Sequence, residues 1–192
     1  MNKYRNKPCW INRKTLEGWH LFTPPSATAD SNPNDWIRFD SQFECLIYQE
    51  IRRYFNDEWV TLQPKLTLKE KSRYSSSVSY VSDFLIKQPS QRLQAFQAGA
   101  THDNHPYRFI EAKGLMTEAA KLKLQLMEEI FPDQRANLLI VSRYPTLYFG
   151  AKYAPSLSIS ELSNELAKLK KTFKISEQIC STSKIPESRL LN

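Results

Sequence analysis

The sequence predicts an α/β protein: a mixed sheet of four to five strands flanked by helices. The periodicities run in the order helix, three strands, helix, strand. Three consecutive strands can pair antiparallel, whereas a strand reached through a crossover helix pairs in parallel, so the sheet is mixed. The 192 residues are enough for one domain with a sizeable core, and 41% hydrophobic with 12% aromatic content is globular rather than disordered. The longest apolar run, Leu138–Val141, is too short to span a bilayer, and Met1–Lys7 leads into no apolar stretch. Neither a membrane segment nor a signal peptide is expected.

Residues 1–38 are aromatic-rich but irregular, which suggests a short packed arm around Trp10, Trp19 and Phe22, then a Pro/Ser/Asn/Asp loop from Pro24 to Asp35. From Asp40-Ser41, the three- and four-residue spacing of Phe43, Leu46, Ile47, Ile51, Tyr54 and Phe55 predicts an amphipathic helix ending at Asn56-Asp57. Trp59–Leu62 reads as a strand that continues past Gln63-Pro64 into Leu66–Leu68, and a polar turn over 69–77 leads to a second strand, Val78–Ile86. The stretch from Gln88 to Pro106 is polar and holds Pro89, Gly99 and Pro106, so it reads as an inserted loop.

A third strand, Tyr107–Lys113, stops at Gly114. Thr117 should cap a helix with an inner face of Leu122, Leu126, Met127, Ile130 and Phe131, closed by Pro132. Asn137–Ser142 is a buried strand, Tyr148-Phe149 adds a short one, and Ser160 should cap a last helix. That helix buries Leu162, Leu166, Leu169 and Phe173 and turns Lys168, Lys170, Lys171 and Lys174 outward; the tail from Ser181 reads as unstructured. The expected organisation is an arm and loop over 1–38, a core over 39–150 and a basic helix with a tail over 151–192.

Net charge is +7, with the surplus toward the two ends of the chain, while 91–130 is balanced. A basic chain suits a polyanionic partner. Three separated cysteines, Cys9, Cys45 and Cys180, form no CxxC and no zinc spacing, which points to a reducing, cytoplasmic setting. The four glycines, at 18, 99, 114 and 150, are too scattered to cradle a phosphate, which excludes a P-loop or Rossmann fingerprint and any nucleotide cofactor bound that way.

The chemistry gathers where strands end. On a strand, Glu111 and Lys113 project to one side and Ala112 to the other. Asp83 precedes Phe84-Leu85-Ile86 on the strand before. If these strands are neighbours, Asp83 and Glu111 can converge on one hard divalent cation, with the Ala112 carbonyl as a third oxygen. Magnesium accepts few carboxylates and keeps waters, and Mn²⁺ is an acceptable substitute. Lys113 would then orient the attacking water and offset charge in a phosphorane-like transition state, as phosphodiester hydrolysis requires. The bland alternative is a structural ion pair in which Lys113 neutralises the two acids.

Asp83-Phe84-Leu85-Ile86 on one strand and Phe109-Ile110-Glu111-Ala112-Lys113-Gly114 on the next resemble the signature of the PD-(D/E)XK nuclease superfamily. Glu44, within Phe39-Asp40-Ser41-Gln42-Phe43-Glu44, matches its opening-helix glutamate, and Gln63-Pro64 is similar to the Gln-Pro of several branches. The match covers residues 39–142, so the resemblance implies a restriction-endonuclease-like αβββαβ core. It also implies a Mg²⁺-dependent DNA endonuclease. Asp83 and Glu111 would hold the metal with the Ala112 carbonyl, Lys113 would position water, Glu44 would serve a second metal directly or through water, and Gln63 would be accessory. Ser82 stands where the superfamily often has proline, and the 88–106 loop spaces the acidic motifs widely.

Among branches the chain looks most like phage-type endonuclease I resolvases, which act as dimers on branched DNA, and the endonuclease subunits of heteromeric transposases, which act at mobile-element ends with a partner recombination protein. A non-catalytic nucleic-acid-binding protein keeping the fold is the reading from another class. Several residues carry two readings. Ser41…Glu44 is also a capping box. Lys121 and Lys123 suit either DNA phosphates or a solvated helix face, and Lys69, Lys71 and Arg73, beside Tyr74, suit either a DNA-contacting arm or an exposed turn. His102 and His105 could serve a metal, but histidines in a polar loop usually face solvent.

Overall fold

In a computed structural model, residues 7–19, 32–89, 107–114, 117–143 and 156–182 are described. The elements are β1 (Cys9–Asn12), β2 (Gly18–Trp19), β3 (Trp36–Phe39), α1 (Gln42–Arg52), β4 (Val60–Leu62), β5 (Lys65–Lys69), β6 (Val78–Val81) and β7 (Phe84–Ile86). They continue with β8 (Arg108–Lys113), α2 (Glu118–Ile130), α3 (Pro132–Ala136), β9 (Leu138–Ser142), β10 (Ser156–Leu157) and α4 (Ile159–Thr182).

The central sheet has five strands in the order β10-β9-β8-β7-β4. It is mixed, as the pattern of three strands and a crossover implies: β7 is antiparallel to β4 and β8, while β9 runs parallel to β8 and β10. Alternation along β8 sends Ile110 into one hydrophobic cluster and Phe109 into another. The first cluster joins α1 and α4 to β1 and β3; the second joins α2 to β5 and β6. Ile47, Ile51, Phe84, Phe109 and Ile110 are almost fully enclosed, and burial of such a side chain contributes about 1.5–3 kcal/mol.

Several local expectations are corrected. The amino-terminal region is a sheet rather than an irregular arm: β1 pairs antiparallel with β2 and, from Cys9↔Phe39 to Asn12↔Trp36, with β3. The two long strands each break in two. β4 and β7 stay in the central sheet, whereas β5 and β6 leave to form a separate two-stranded arm. The break falls at Gln63, whose φ of 47° turns the chain, and across from it at Ser82-Asp83. Two backbone bonds clamp it, Gln63 N–H to Asp83 O at 2.9 Å and Ser82 N–H to Pro64 O at 3.3 Å.

Helix α2 is rotated from the expected phase. Leu124 and Met127 are buried, while Leu122 and Ile130 are 58% and 44% exposed. In α1, likewise, Leu46 faces outward. Helix α2 ends at Ile130, ahead of Pro132 as expected, and Pro132 also opens α3, because proline fits the first turn, where no amide donor is needed. The last helix is capped by Ser158, not Ser160: the Glu161 amide donates to Ser158 Oγ, and Glu161 accepts from the Ser158 amide at 2.7 Å. This helix buries Leu162, Leu166, Leu169 and Phe173 as expected, exposes Lys168, Lys171 and Lys174, and runs through Thr182, past the expected start of the tail. Lys170 is half-buried. The inserted loop beyond Pro89, with His102 and His105, the strand at Tyr148-Phe149 and Phe22 lie outside the described residues.

Candidate active site

Strand β8 is longer than its antiparallel neighbour. Phe84 pairs with Ile110, and there β7 stops, so Glu111, Ala112 and Lys113 keep only β9 as a strand partner. The Asp83 side chain fills the gap: its Oδ2 accepts from the Ala112 amide at 2.6 Å. The expected adjacency of the two acidic motifs is therefore met, and a side chain takes the amide that the missing strand would have satisfied.

Glu111 is 3% exposed. Lys113, two residues on and on the same side of β8, pairs through Nζ with Glu111 Oε1. Oε2 of Glu111 is buried with no hydrogen-bond partner. The Tyr80 hydroxyl on β6 is enclosed beside it and interacts with the Glu111 carboxylate, but without the geometry of a well-formed hydrogen bond. A buried acceptor left unmatched costs about 1–3 kcal/mol.

Burial dominates the electrostatics. It pushes the Asp83 carboxyl up to about 8, with the Glu111 charge adding to the rise and the Ala112 amide opposing it. Burial also raises Glu111, and Lys113 pulls it back only in part. Among the described residues, Lys113 is the cation that lowers both acids, so a structural ion pair exists with Glu111 while Asp83 stays raised.

Glu44 lies in the first turn of α1, half-buried. Its amide donates to Ser41 Oγ at 3.2 Å, and its Oε1 accepts from the Ser41 hydroxyl at 2.8 Å. Its carboxyl is raised by burial, lowered by Ser41 and raised again by the Asp40 and Glu111 charges. Capping and proximity to Glu111 thus hold together. Gln63 is exposed at the strand break, tied to Asp83 through backbone alone.

Asp83, Glu111 and the Ala112 carbonyl are the donors that would hold a hard divalent cation. Among the described residues, no three His, Cys, Asp or Glu side chains are grouped to enclose a metal by themselves. Two carboxylates with retained waters are nonetheless a supply that magnesium accepts. The unmatched Glu111 oxygen and the raised acids fit such an ion, which would relieve both costs. A Cβ at Gly114 would meet no atom within 4 Å, so there is room beside Lys113.

The proposed DNA contacts lie elsewhere. Lys69, Lys71 and Arg73 are exposed at the end of the β5–β6 arm. Lys121 is ion-paired with Glu118 at 2.7 Å, and Lys123 is exposed on α2. Tyr80 is the residue of the site that sequence reasoning missed. Its signal, a lone large polar ring three residues before Asp83, was hidden because the break at Ser82 destroys the alternation that would have put it beside the acids.

Residues 29–145 match the model of a family described as protein of unknown function (DUF1064). The chain belongs to this family. The matched segment holds all the acids above, with Lys113 and Tyr80, whereas β1, β2 and α4 lie outside it. No curated protein and no solved structure matches the chain. The DUF1064 segment is thus the part of the molecule that carries the site.

Proposed function

We propose that this DUF1064 chain is a Mg²⁺-dependent DNA endonuclease of the PD-(D/E)XK type. One observation carries the reading: half-buried Asp83, just before β7, and buried Glu111 on β8 converge at one sheet end, with Lys113 paired to Glu111 and one Glu111 oxygen lacking a well-formed hydrogen bond. The order α1, the central-sheet strands β4, β7 and β8, then α2 and β9 supports a restriction-endonuclease-like core, with β1–β3, the β5–β6 arm and α4 as additions.

A bound Mg²⁺ would supply Lewis acidity to the phosphoryl oxygen and ease deprotonation of water. The chain's own residues do the rest. Asp83, oriented by the Ala112 amide, and Glu111 present oxygens at one sheet end. Lys113, a quarter exposed, reaches from the buried acid toward solvent and stands where a cation offsets charge developing on phosphate. Glu44 adds a third negative group from the start of α1.

The test is nicking of supercoiled plasmid with Mg²⁺ or Mn²⁺. Lys113→Ala and Asp83→Ala are each expected to lower the rate by about 10²–10³-fold or more. Cleavage that survives both substitutions overturns the site. Failure to cut any DNA favours the non-catalytic reading. Four-way junctions offered beside linear duplex separate a resolvase, which should prefer the junction, from a transposase subunit, which should stay silent without its partner protein.

A further inference from the structure

The β5–β6 arm has a tip that the catalytic reading does not use. Its base is fixed: Leu66, Leu68 and Tyr80 are buried against α2. Its end is closed by a tight turn in which the Ser72 amide donates to Ser75 O at 2.9 Å and the two hydroxyls meet at 2.8 Å. The turn holds out Arg73 and Tyr74, with the Arg73 guanidinium 5.7 Å from the ring centre. Tyr74 is 88% exposed, the most exposed of the large hydrophobic side chains described. Lys69 and Lys71 stand exposed beside it, opposed by Glu70 alone.

This chemistry narrows the partner. Cations alone would serve duplex phosphates, but an intact duplex offers a projecting ring no π-face to stack on. A membrane surface would reward apolar neighbours, whereas here the ring is flanked by Ser72, Ser75, Ser76 and Ser77. An aromatic ring backed by arginine and ringed by lysines is the composition that binds unpaired bases.

We propose that Tyr74, backed by Arg73 and flanked by Lys69 and Lys71, is a stacking platform for an unpaired base, so that the preferred substrate carries unstacked nucleotides near the cleaved phosphate. This rests on the endonuclease reading. From Ser82 to Ser75 the chain reaches at most about 23 Å at roughly 3.3 Å per residue. With nucleotides spaced about 3.4 Å along a strand, the contact falls within about seven nucleotides of the cut.

The experiment uses the full chain with Ca²⁺ in place of Mg²⁺ and two probes: a flush duplex, and the same duplex with a three-nucleotide gap containing 2-aminopurine. Wild type should quench the fluorophore and prefer the gapped probe. Tyr74→Ala should lose the quench and about 5- to 100-fold of gapped-probe affinity, while Tyr74→Phe keeps both. Lys71→Ala should weaken binding to both probes alike. The platform is overturned if Tyr74→Ala binds and quenches like wild type, or if Tyr74→Phe fails as badly as Tyr74→Ala. In either case Mg²⁺-dependent nicking that needs Lys113 leaves the endonuclease reading standing. A wild type that neither binds nor cuts DNA overturns both. The ring is exposed, so Tyr74→Ala should leave the far-ultraviolet circular dichroism spectrum unchanged.

Discussion

Asp57 accepts from three donors, whereas Asp83 accepts from one backbone amide and faces another acid. Tyr48 Oη and Arg52 donate to Asp57 Oδ1 at 2.7 and 2.8 Å, and Arg13 donates to Oδ2 at 3.2 Å. That cluster sets two guanidiniums against one carboxylate and ties α1 to the chain leading into β4. The Asp83–Glu111 cluster sets one lysine against two acids, with a Glu111 oxygen and the Tyr80 hydroxyl enclosed side by side without a well-formed hydrogen bond. Charged residues near a core are therefore not of one kind here. The first group holds the fold together; the second is held in place by the fold at a cost.

The sharpest test of that contrast is the opposite sign of two substitutions. Asp57→Ala strips partners from Arg52 and Tyr48 and should destabilise the protein by about 1–3 kcal/mol, with nicking per folded molecule unchanged. Asp83→Asn should stabilise the metal-free protein at pH 8 by about 1 kcal/mol or more while abolishing nicking. Urea unfolding of both variants decides it. Two losses of stability would break the contrast.

Proton linkage provides the next effect. Asp83 titrates at about 8 in the folded chain against an ordinary 3.8, and Glu111 moves in the same direction. The native state then binds more protons than the unfolded one, so this contribution to stability is present at low pH and is lost as pH rises through about 8. Through Asp83 alone, metal-free protein should lose up to about 1.4 kcal/mol per pH unit between its ordinary 3.8 and about 8, with Glu111 adding in the same direction. Melting curves from pH 5 to 9 should show the decline, flattened in Asp83→Asn and by added Mg²⁺. A wild-type profile parallel to that of Asp83→Asn would remove the linkage.

Glu44 should show the smallest effect, because it belongs to both kinds of cluster. Glu44→Gln weakens a helix start already capped by Ser41 Oγ and should cost roughly 0.5–1 kcal/mol, comparable to the loss of a cap. Its nicking rate should fall less than that of Lys113→Ala. A fall as large would move Glu44 from support into the site itself.

Much of this was legible in the sequence. Alternation placed Glu111 and Lys113 on one side of β8, and the helix and strand periods gave the order of elements through β9. What escaped had physical causes. β1 and β3 are partners separated by a polar stretch, so neither announces the other. Leu122, Leu124 and Leu126 offer apolar residues to two helix faces, and only packing chose the face of Leu124 and Met127. Ser158 and Ser160 are equally good caps by type, and Glu161 at the right distance from Ser158 decides between them. The strand break rests on Gln63 at positive φ, a conformation that a non-glycine residue does not advertise.

The central sheet ends, among the described residues, in very short ladders: three paired residues on β4 and two on β10. Long open edges are templates on which a sheet grows into its neighbours, and short ones deny that growth. A second copy of the chain finds few backbone groups to continue here. Strand sharing is discouraged at these two margins of the central sheet, whereas the β2-β1-β3 and β5-β6 sheets keep edges of their own.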